Sequence, residues 1–255
     1  MKKHLFLYLV FTILVFFFSC KKKDNADPDP SGTPITNIVP SDSSNYYALF
    51  SCINVYSKIS GSFTPTGNQT SAYYSSQLII NEAYNTANLQ DIGVVNLNSI
   101  IFKNKNNITN FYYSDSTLST FTLPLNWNIS GTSAINSFSV SNTNTLPTFT
   151  ASAGIQDSIS IAAGFTVNIK GTADCNLIRV FILGGAGSTT FPNKLVAGTD
   201  TSIRFSAADL QGVTPTNAGY ISVQLFRDNY RTISGKRMSF RTGLNYINNA
   251  FKIKL

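Results

Sequence analysis

The stretch that decides the fold runs from residue 202 to residue 227 and contains two alternating segments. The first is Ser202-Ile203-Arg204-Phe205-Ser206-Ala207-Ala208-Asp209-Leu210, and the second is Tyr220-Ile221-Ser222-Val223-Gln224-Leu225-Phe226-Arg227. Apolar and polar residues alternate in both, which is the pattern of a β-strand with one buried face. Ser206 follows the first alternating run and is placed to cap the turn after it. We therefore predict strands at Ser202–Phe205 and Tyr220–Arg227.

The same alternation recurs along most of the chain, and no window after residue 19 has a sustained helical period. Gly, Asn, Asp and Pro separate the alternating segments, as turns require. Many short strands with frequent turns are typical of an all-β sandwich or barrel. The other predicted strands are 47–59, 72–82, 92–102, 111–114, 120–123, 126–129, 137–140, 158–161, 165–170, 177–183, 194–196, 237–240 and 251–255.

A domain boundary is predicted near residues 145–157, next to a stretch rich in Pro and Thr. It divides the β region into an N-terminal domain, 45–150, and a second domain, 151–255. Residues 31–150 hold three basic and four acidic side chains, whereas residues 151–255 hold eleven basic and five acidic ones, a net charge of +6. The second domain is therefore the one expected to meet an anionic partner.

The first 19 residues have the organisation of an export signal. Lys2 and Lys3 form a positive start, and residues 5–18 are apolar apart from one Tyr and one Thr. As a helix this run would be about 21 Å long at roughly 1.5 Å per residue. A bilayer core of roughly 30 Å needs a longer span. The run therefore fits a cleaved signal peptide, 1–19, and an uncleaved membrane anchor is the alternative.

Phe17-Phe18-Ser19-Cys20 resembles a bacterial lipobox, in which the cysteine is lipidated and becomes the first residue. The segment 20–44 is rich in Lys, Asp, Pro, Ser and Thr and is predicted to be a disordered, solvated tether. Ser19-Cys20-Lys21-Lys22-Lys23-Asp24 resembles the start of many Bacteroidetes lipoproteins. That resemblance implies a lipid anchor on Cys20, palmitate being a typical chain, in the outer membrane with the body exposed at the cell surface. A periplasm-facing body is the alternative.

Tyr220, ten residues after Leu210, resembles the tyrosine at the E–F corner of immunoglobulin-like and fibronectin type III domains. The resemblance implies an Ig-like β-sandwich at 151–255, in which the Tyr220 hydroxyl contacts upstream backbone. An ordinary strand tyrosine is the alternative. The order of Trp127-Asn128-Ile129-Ser130-Gly131, Leu146-Pro147-Thr148-Phe149 and this unit resembles uncharacterised Bacteroidetes lipoproteins, a resemblance that implies architecture and no activity.

The composition of the chain excludes several kinds of catalytic and metal-binding site. Without the first 19 residues the chain has 236 residues, a net charge of +5, one glutamate and no histidine. Nucleophile systems that use His and His-ligated zinc are therefore excluded, and no metal or other cofactor is expected. Cys52 and Cys175 are expected to be unpaired thiols, with a disulfide between them as the alternative. The run Gly184–Gly187 lacks the ending of a phosphate-binding loop and is expected to be a hairpin loop.

Five basic residues lie close together in the second domain: Arg227, Arg231, Lys236, Arg237 and Arg241. One interpretation is a patch for an anionic ligand such as an acidic glycan, with Tyr230 and Tyr246 as stacking platforms. The other is a solvated basic face on one strand pair. Three pairs of adjacent tyrosines, at 46–47, 73–74 and 112–113, put one ring on each face of a strand. Their outward rings are a second candidate for glycan binding, and tyrosines that simply suit a β-sheet are the alternative.

The favoured function is non-catalytic, namely binding or scaffolding by a lipoprotein attached to the membrane through Cys20. A glycan or a surface protein is the expected partner, and nucleic acid is not. The alternative is a carboxylate-based glycan hydrolase, which needs two carboxylates in one cleft. The carboxylates of the body lie mostly in turn sequences, where turn formation explains them. The sequence defines neither the ligand nor the oligomeric state.

Overall fold

The computed structural model describes residues 45–80, 86–104, 113–115, 121–149 and 155–255. The predicted signal peptide, Cys20 and the predicted tether lie outside these described residues. Within them the fold is all β, as the alternation predicted. The strands form several sheets, of which the largest contains both parallel and antiparallel pairs.

The described residues contain seventeen strands, numbered β1 to β17 in chain order. The first nine, β1 to β9, are Tyr46–Ile59, Ser62–Ile79, Val95–Leu97, Ile100–Ile101, Lys103–Asn104, Tyr113–Asp115, Leu125–Ile129, Phe138–Asn142 and Thr148–Phe149. The other eight, β10 to β17, are Ser158–Ser160, Phe165–Asn168, Thr172–Ala173, Leu177–Leu183, Asn193–Ala197, Ser202–Phe205, Thr216–Ile233 and Lys236–Lys254. A single 3-10 turn spans Thr86–Asn88 within the same residues.

The largest sheet has nine strands in the order β14-β13-β16-β17-β1-β2-β6-β5, with β10 also paired to β17. β1 runs parallel to β17 as far as the pair Ser57 and Ile247. β10 then takes over the parallel pairing, with Ser158 beside Lys252. This sheet draws strands from both sides of the boundary predicted near 145–157. Two separate domains, 45–150 and 151–255, stay a prediction.

Two tight turns set the register of the longest strands. Ser60-Gly61 joins β1 to β2 and Ser234-Gly235 joins β16 to β17, and all four residues have positive φ. Two-residue turns of this kind match the natural twist of a β-hairpin. They allow β16 and β17 to continue for 18 and 19 residues.

The large sheet has an inner face, which carries Phe240 of β17, and an outer face, which carries Arg241. Residues paired directly across two strands share a face. A second sheet, in the order β4-β3-β7-β8, covers part of the inner face. There Phe50 stacks on Phe240 at 4.9 Å and meets Trp127 edge-on at 5.5 Å. Trp127 is 1% exposed, so this core excludes water.

Farther along the same long strands a second core forms against the paired β11 and β15. Phe165 and Phe205 stack in it at 4.9 Å, and Val223 of β16 is fully buried beside them. Ser206 caps the turn after β15, as predicted. The Ser206 N–H donates to Asp209 Oδ2 at 2.7 Å, and the Asp209 N–H donates to Ser206 Oγ at 3.2 Å.

Candidate functional site

The predicted basic patch is divided between the two faces of the large sheet. Adjacent residues of a strand point to opposite faces, and Asp228 pairs with Arg241 while Arg227 pairs with Thr242. The outer face carries Arg237 and Arg241, and the inner face carries Arg227, Arg231 and Lys236. Closeness in sequence therefore does not make the five side chains one surface.

On the outer face, Asp228 and Arg241 form an ion pair that is shielded from water. Arg241 Nε donates to Asp228 Oδ1 at 2.6 Å, and Arg241 Nη2 donates to Oδ2 at 2.9 Å. Ser239 Oγ donates to Oδ1 at 3.0 Å, and the Tyr230 hydroxyl donates to Oδ2 at 3.3 Å. The side chains of Asp228 and Arg241 are 3% and 4% exposed. Loss of either partner would leave an uncompensated buried charge.

Burial and the charge of the partner shift the pKa of each member of this ion pair in opposite directions. Burial alone would raise the pKa of Asp228, but the charge of Arg241 and the hydrogen bonds that the carboxylate accepts lower it below its ordinary value. Burial alone would lower the pKa of Arg241, and Asp228 more than offsets this and raises it. Both groups are therefore charged at neutral pH.

Arg179 of β13 joins this pair on the outer face, although sequence reasoning did not single it out. The Cζ of Arg241 and that of Arg179 lie 4.3 Å and 5.7 Å from the ring centroid of Phe226. Such distances allow a cation–π contact. Burial first, and then the charge of Arg241, lower the pKa of Arg179. The signal in the sequence was a charged residue in the middle of the otherwise apolar strand Leu177–Leu183.

Three tyrosines and a third arginine, Arg237, lie beside these residues on the outer face. The Arg237 Cζ lies 4.0 Å from the ring centroid of Tyr230. Tyr46 and Tyr73 are 0% and 6% exposed in a small apolar cluster against which Tyr230 packs. We name as the outer-face arginine cluster the residues Tyr46, Tyr73, Arg179, Asp228, Tyr230, Arg237 and Arg241. Its three guanidinium groups outnumber its one carboxylate, a balance that suits an anionic group such as a carboxylate, sulfate or phosphate.

The inner-face members of the predicted patch have contacts of other kinds. Arg227 Nη1 donates to Asp174 Oδ1 at 3.0 Å. Lys236 Nζ donates to the hydroxyl of Tyr74 and lies 4.9 Å from the centroid of the same ring. Arg231 is exposed near the end of β16. Arg227 and Lys236 are therefore engaged in contacts within the protein.

Tyr220 takes part in a side-chain network within the large sheet. Its ring stacks on Phe181 at 5.5 Å, and its hydroxyl has the Ser222 side chain as a hydrogen-bond partner. Burial raises the pKa of Tyr220. Ser222 Oγ also lies 2.6 Å from Asn245 Oδ1. The contact from Tyr220 to upstream backbone stays a prediction.

Most of the described tyrosines proposed as glycan platforms are buried, whereas Tyr47 and Tyr230 are half-buried. Tyr112 lies outside the described residues. Tyr73 and Tyr74 point to opposite faces, as predicted, but they are 6% and 0% exposed. Tyr246 lies on the inner face, 8% exposed, where it stacks on Tyr56 at 5.0 Å. Burial, with a contribution from Tyr56, raises the pKa of Tyr246 to about 12. A joint platform of Tyr230 and Tyr246 is therefore wrong, because strand alternation puts the two rings on opposite faces.

Cys52 and Cys175 are free thiols, as expected. Cys52 is 2% exposed in the inner core. Cys175 is half-buried, and its thiol donates to the carbonyl of Gly198 at 3.7 Å. Burial raises the pKa of both thiols, so neither is a ready thiolate nucleophile at neutral pH.

The glycine run Gly184–Gly187 lies in the hairpin loop between β13 and β14, as expected. Its backbone is used within the protein, because the Gly185 N–H donates to the carbonyl of Thr214 at 2.9 Å. A Cβ on Gly184 would meet Ser188 Oγ at 2.4 Å, which explains a glycine at this close approach.

An open recess of about 410 Å³ is lined by Leu89, Gln90, Asp91, Thr132, Ser133 and Ala134. Asp91 supplies the one carboxylate among these six residues, and its Oδ1 accepts the Gly93 N–H at 2.7 Å. Where the structure describes the chain, no three His, Cys, Asp or Glu side chains come close enough to share a metal ion. The described residues also include no helix with the length and apolar character needed to cross a membrane.

Comparison with known proteins gives no match: none with a family model, none with a curated protein and none with a solved structure. The class of this protein is therefore defined by its all-β fold and the geometry described above. The outer-face arginine cluster is the candidate site that this geometry supports best, because it gathers charge and aromatic rings from five strands of one sheet.

Proposed function

We propose that this protein is an exported lipoprotein, anchored to the outer membrane through a lipid on Cys20, with a non-catalytic binding role at the cell surface. The observation that carries the anchor is the order of the first 44 residues. A basic start, a short apolar run and Ser19-Cys20 precede a polar tether. The 25 residues from Lys21 to Asn45 separate the lipidated cysteine from β1. They reach at most roughly 90 Å when extended, which lets the body stand clear of the membrane.

The binding role rests on the outer-face arginine cluster. Guanidinium groups form strong, directional hydrogen bonds with carboxylates, sulfates and phosphates. Arg237 is half-buried and has the ring of Tyr230 beneath it, which restricts its side chain before any ligand arrives. An acidic glycan carries such anionic groups and is the partner that we favour, with a surface protein as the alternative.

We also propose that residues 151–255 form an Ig-like β-sandwich and residues 45–150 a separate β domain. The buried residues of the core against β11 and β15 all lie between Phe149 and Ile253, which supports such a unit, although Tyr56 and Phe63 of β1 and β2 also pack against it. The other core consists of residues 48–135 together with Met238 and Phe240. Expression of residues 151–255 alone tests this proposal. Cooperative unfolding is the expected result, and a fragment that needs β1 beside β17 in order to fold would contradict it.

Replacement of the predicted lipid attachment site tests the anchor. In a Cys20→Ala variant of the full chain, incorporation of a labelled fatty acid should disappear and the protein should leave the membrane fraction. Cys175→Ala is the matched control, since it removes a half-buried thiol and should keep both properties. Persistent labelling and membrane association of the Cys20→Ala variant would exclude lipidation at this residue.

Treatment of intact cells with a protease distinguishes the two orientations of the body. Digestion without lysis is expected for a body at the cell surface. Protection until the outer membrane is opened would show a periplasm-facing body and would contradict display at the surface.

A carboxylate-based glycan hydrolase is the alternative function, and no contact among the described residues favours it. Four ion pairs engage described aspartates: Asp157 with Lys58, Asp174 with Arg227, Asp209 with Lys194 and Asp228 with Arg241. A screen against glycan polymers that measures binding and turnover separately tests this alternative. Turnover by the purified chain would overturn the non-catalytic proposal.

A further inference from the structure

Three side chains from distant parts of the sequence meet at one end of the large sheet. Lys58 is near the end of β1, Asn248 is in β17, and Asp157 directly precedes β10. Lys58 Nζ lies 2.5 Å from Asp157 Oδ1, and Asn248 Nδ2 donates to the same oxygen at 3.0 Å. The amine and the amide nitrogen are therefore at most about 5.5 Å apart.

The strand pairing explains why Lys58 and Asn248 meet. The last parallel pair between β1 and β17 is Ser57 with Ile247, and Lys58 and Asn248 are the next residues along each strand. Paired strands lie about 4.8 Å apart, so the two side chains start as neighbours. Two residues earlier in each strand, Tyr56 and Tyr246 stack on the same face, with their ring centroids 5.0 Å apart.

The surroundings of Lys58 and Asn248 exclude most water. Asn248 is 2% exposed, and the side chain of Lys58 is 13% exposed with its Nζ 5.8 Å from the ring centroid of Phe63. The Ala250 N–H donates to Asn248 Oδ1 at 3.1 Å, which draws electrons from the amide carbon. Asp157 lies on the solvent side of Lys58 and Asn248, and its side chain is 71% exposed.

We propose that Lys58 and Asn248 form an intramolecular amide bond, with Asp157 as the residue that transfers the protons. The Lys58 ammonium gives one proton to the Asp157 carboxylate, and the neutral amine attacks the side-chain carbonyl carbon of Asn248. A new bond forms between Lys58 Nζ and Asn248 Cγ. The bond from Cγ to Nδ2 breaks, and the proton on Asp157 passes to the departing nitrogen, which leaves as ammonia. The attacking nitrogen then gives its second proton to the freed Asp157 carboxylate, which passes it to water, so that Lys58 Nζ ends as a neutral amide nitrogen with one hydrogen.

This reaction consumes no oxidant, reductant or cofactor. One amide replaces another, and the ammonia leaves past the exposed side of Asp157. The fold contributes proximity, which turns an encounter of two molecules into a step within one. The product joins the first strand of the body covalently to its last strand. This inference rests on the geometry of the three residues and does not depend on the proposed binding function.

Mass spectrometry of the full chain, extracted from membranes in detergent, tests the bond. Trypsin does not cleave after an acylated lysine, so cleavage after Lys58 should be lost. The segment 24–103 should then appear joined to the segment 242–252. The joined species should be lighter by about 17 Da, the mass of ammonia, than the two segments added together.

Four variants define the roles of the three residues. Lys58→Arg, Asn248→Ala and Asp157→Ala should each abolish the joined species. Asn249→Ala is the matched control, because Asn249 is the exposed neighbour of Asn248 and its loss should leave the bond intact. Circular dichroism of each variant verifies that the β fold is retained, and Asp157→Ala, which removes no side chain that the product joins, keeps the test valid if another variant fails to fold.

Three outcomes would overturn the proposal. Complete cleavage after Lys58 in folded wild-type chain, unchanged after days at 37 °C, would show that no bond forms. A loss of about 18 Da with Lys58 joined to Asp157 would show a condensation that expels water. A bond of equal yield in Asp157→Ala would remove the assigned role of Asp157.

Discussion

At the scale of single residues, Asp228 is the side chain on which the outer-face arginine cluster depends. Asp228→Asn keeps its shape but removes the charge that compensates the buried Arg241. We expect the free energy of unfolding to fall by about 3–5 kcal/mol. Urea unfolding followed by circular dichroism measures this change. Asp200→Asn, in an exposed turn, is the control and should change it by less than about 0.5 kcal/mol. Equal, small effects of the two substitutions would contradict a buried pair.

The same carboxylate should give a pH dependence of a definite sign. The pKa of Asp228 is lowered in the folded state, so its stabilising contribution is fully present above an unfolded-state pKa of about 3.9. This contribution is lost as the pH falls through the lower folded-state pKa. Wild type should therefore lose thermal stability more steeply than Asp228→Asn below about pH 4. Parallel melting temperatures for the two proteins across this range would be inconsistent with the lowered pKa.

Tyr220 provides a second test at this scale. Tyr220→Phe keeps the stacking on Phe181 and removes the hydroxyl that bonds to Ser222. A hydrogen bond contributes roughly 0.5–1.5 kcal/mol net, and the unfolding midpoint should fall accordingly. An unchanged midpoint, with an unchanged denaturant slope, would show that the hydroxyl contributes nothing and that Tyr220 acts only through its ring.

At the scale of elements, two glycines with similar φ angles allow the cost of backbone strain to be measured separately from the cost of a steric clash. Gly235 in the β16–β17 turn and Gly131 after β7 have φ of +73° and +79°. A Cβ at Gly235 meets nothing within 4 Å, whereas a Cβ at Gly131 meets the backbone N of Ser137 at 2.4 Å. Gly235→Ala should cost about 1–2 kcal/mol from strain alone. Gly131→Ala should cost clearly more in the same urea unfolding experiment, and equal costs would contradict the close approach.

The pattern of apolar and polar residues predicted the bounds of some strands correctly and wrongly divided one long strand into two. Leu177–Leu183 and Ser202–Phe205 have the predicted bounds, because both lie between clear turns. The first is an apolar run with one arginine, and the second alternates polar and apolar residues. β17 is one strand of 19 residues, although the sequence predicted two, 237–240 and 251–255. The asparagines between them suggest turns, but Asn245 is 1% exposed and hydrogen-bonded to Ser222 within the sheet. A buried asparagine with a partner from another strand cannot be recognised from its own sequence neighbours.

The candidate site was predicted only in part, because strand pairing between distant segments decides it. Arg237 and Arg241 were recognised as basic residues close in sequence, and alternation within β17 separates them from Lys236. Their separation from Arg227 and Arg231 depends on the register in which β16 pairs with β17. Arg179 reaches the site through the pairing of β13 with β16, which lies outside any local pattern. The parallel pairing of β1 with β17 is equally non-local, and no turn signal specifies it.

At the scale of the whole molecule, the positive charge of the second half is distributed over both faces of the large sheet and over other elements, such as Arg204 of β15. Residues 151–255 carry a net charge of +6. Among the described residues of the large sheet, the outer face combines arginines with buried tyrosines around a buried ion pair. A general attraction to anionic surfaces would weaken equally when any one of these charges is removed. Specific recognition would weaken only when the outer face is changed.

Binding of an anionic polysaccharide such as heparin by two variants of equal charge tests the role of the outer face most directly. Arg237→Ser changes the outer face, and Arg231→Ser removes the same charge from the other face. We expect Arg237→Ser to weaken binding at least several-fold and Arg231→Ser to leave it near that of wild type. Added salt should weaken wild-type binding, since exposed charges are screened over about 8 Å at physiological ionic strength. Equal loss in both variants, or binding that salt does not change, would contradict recognition by the outer-face arginine cluster.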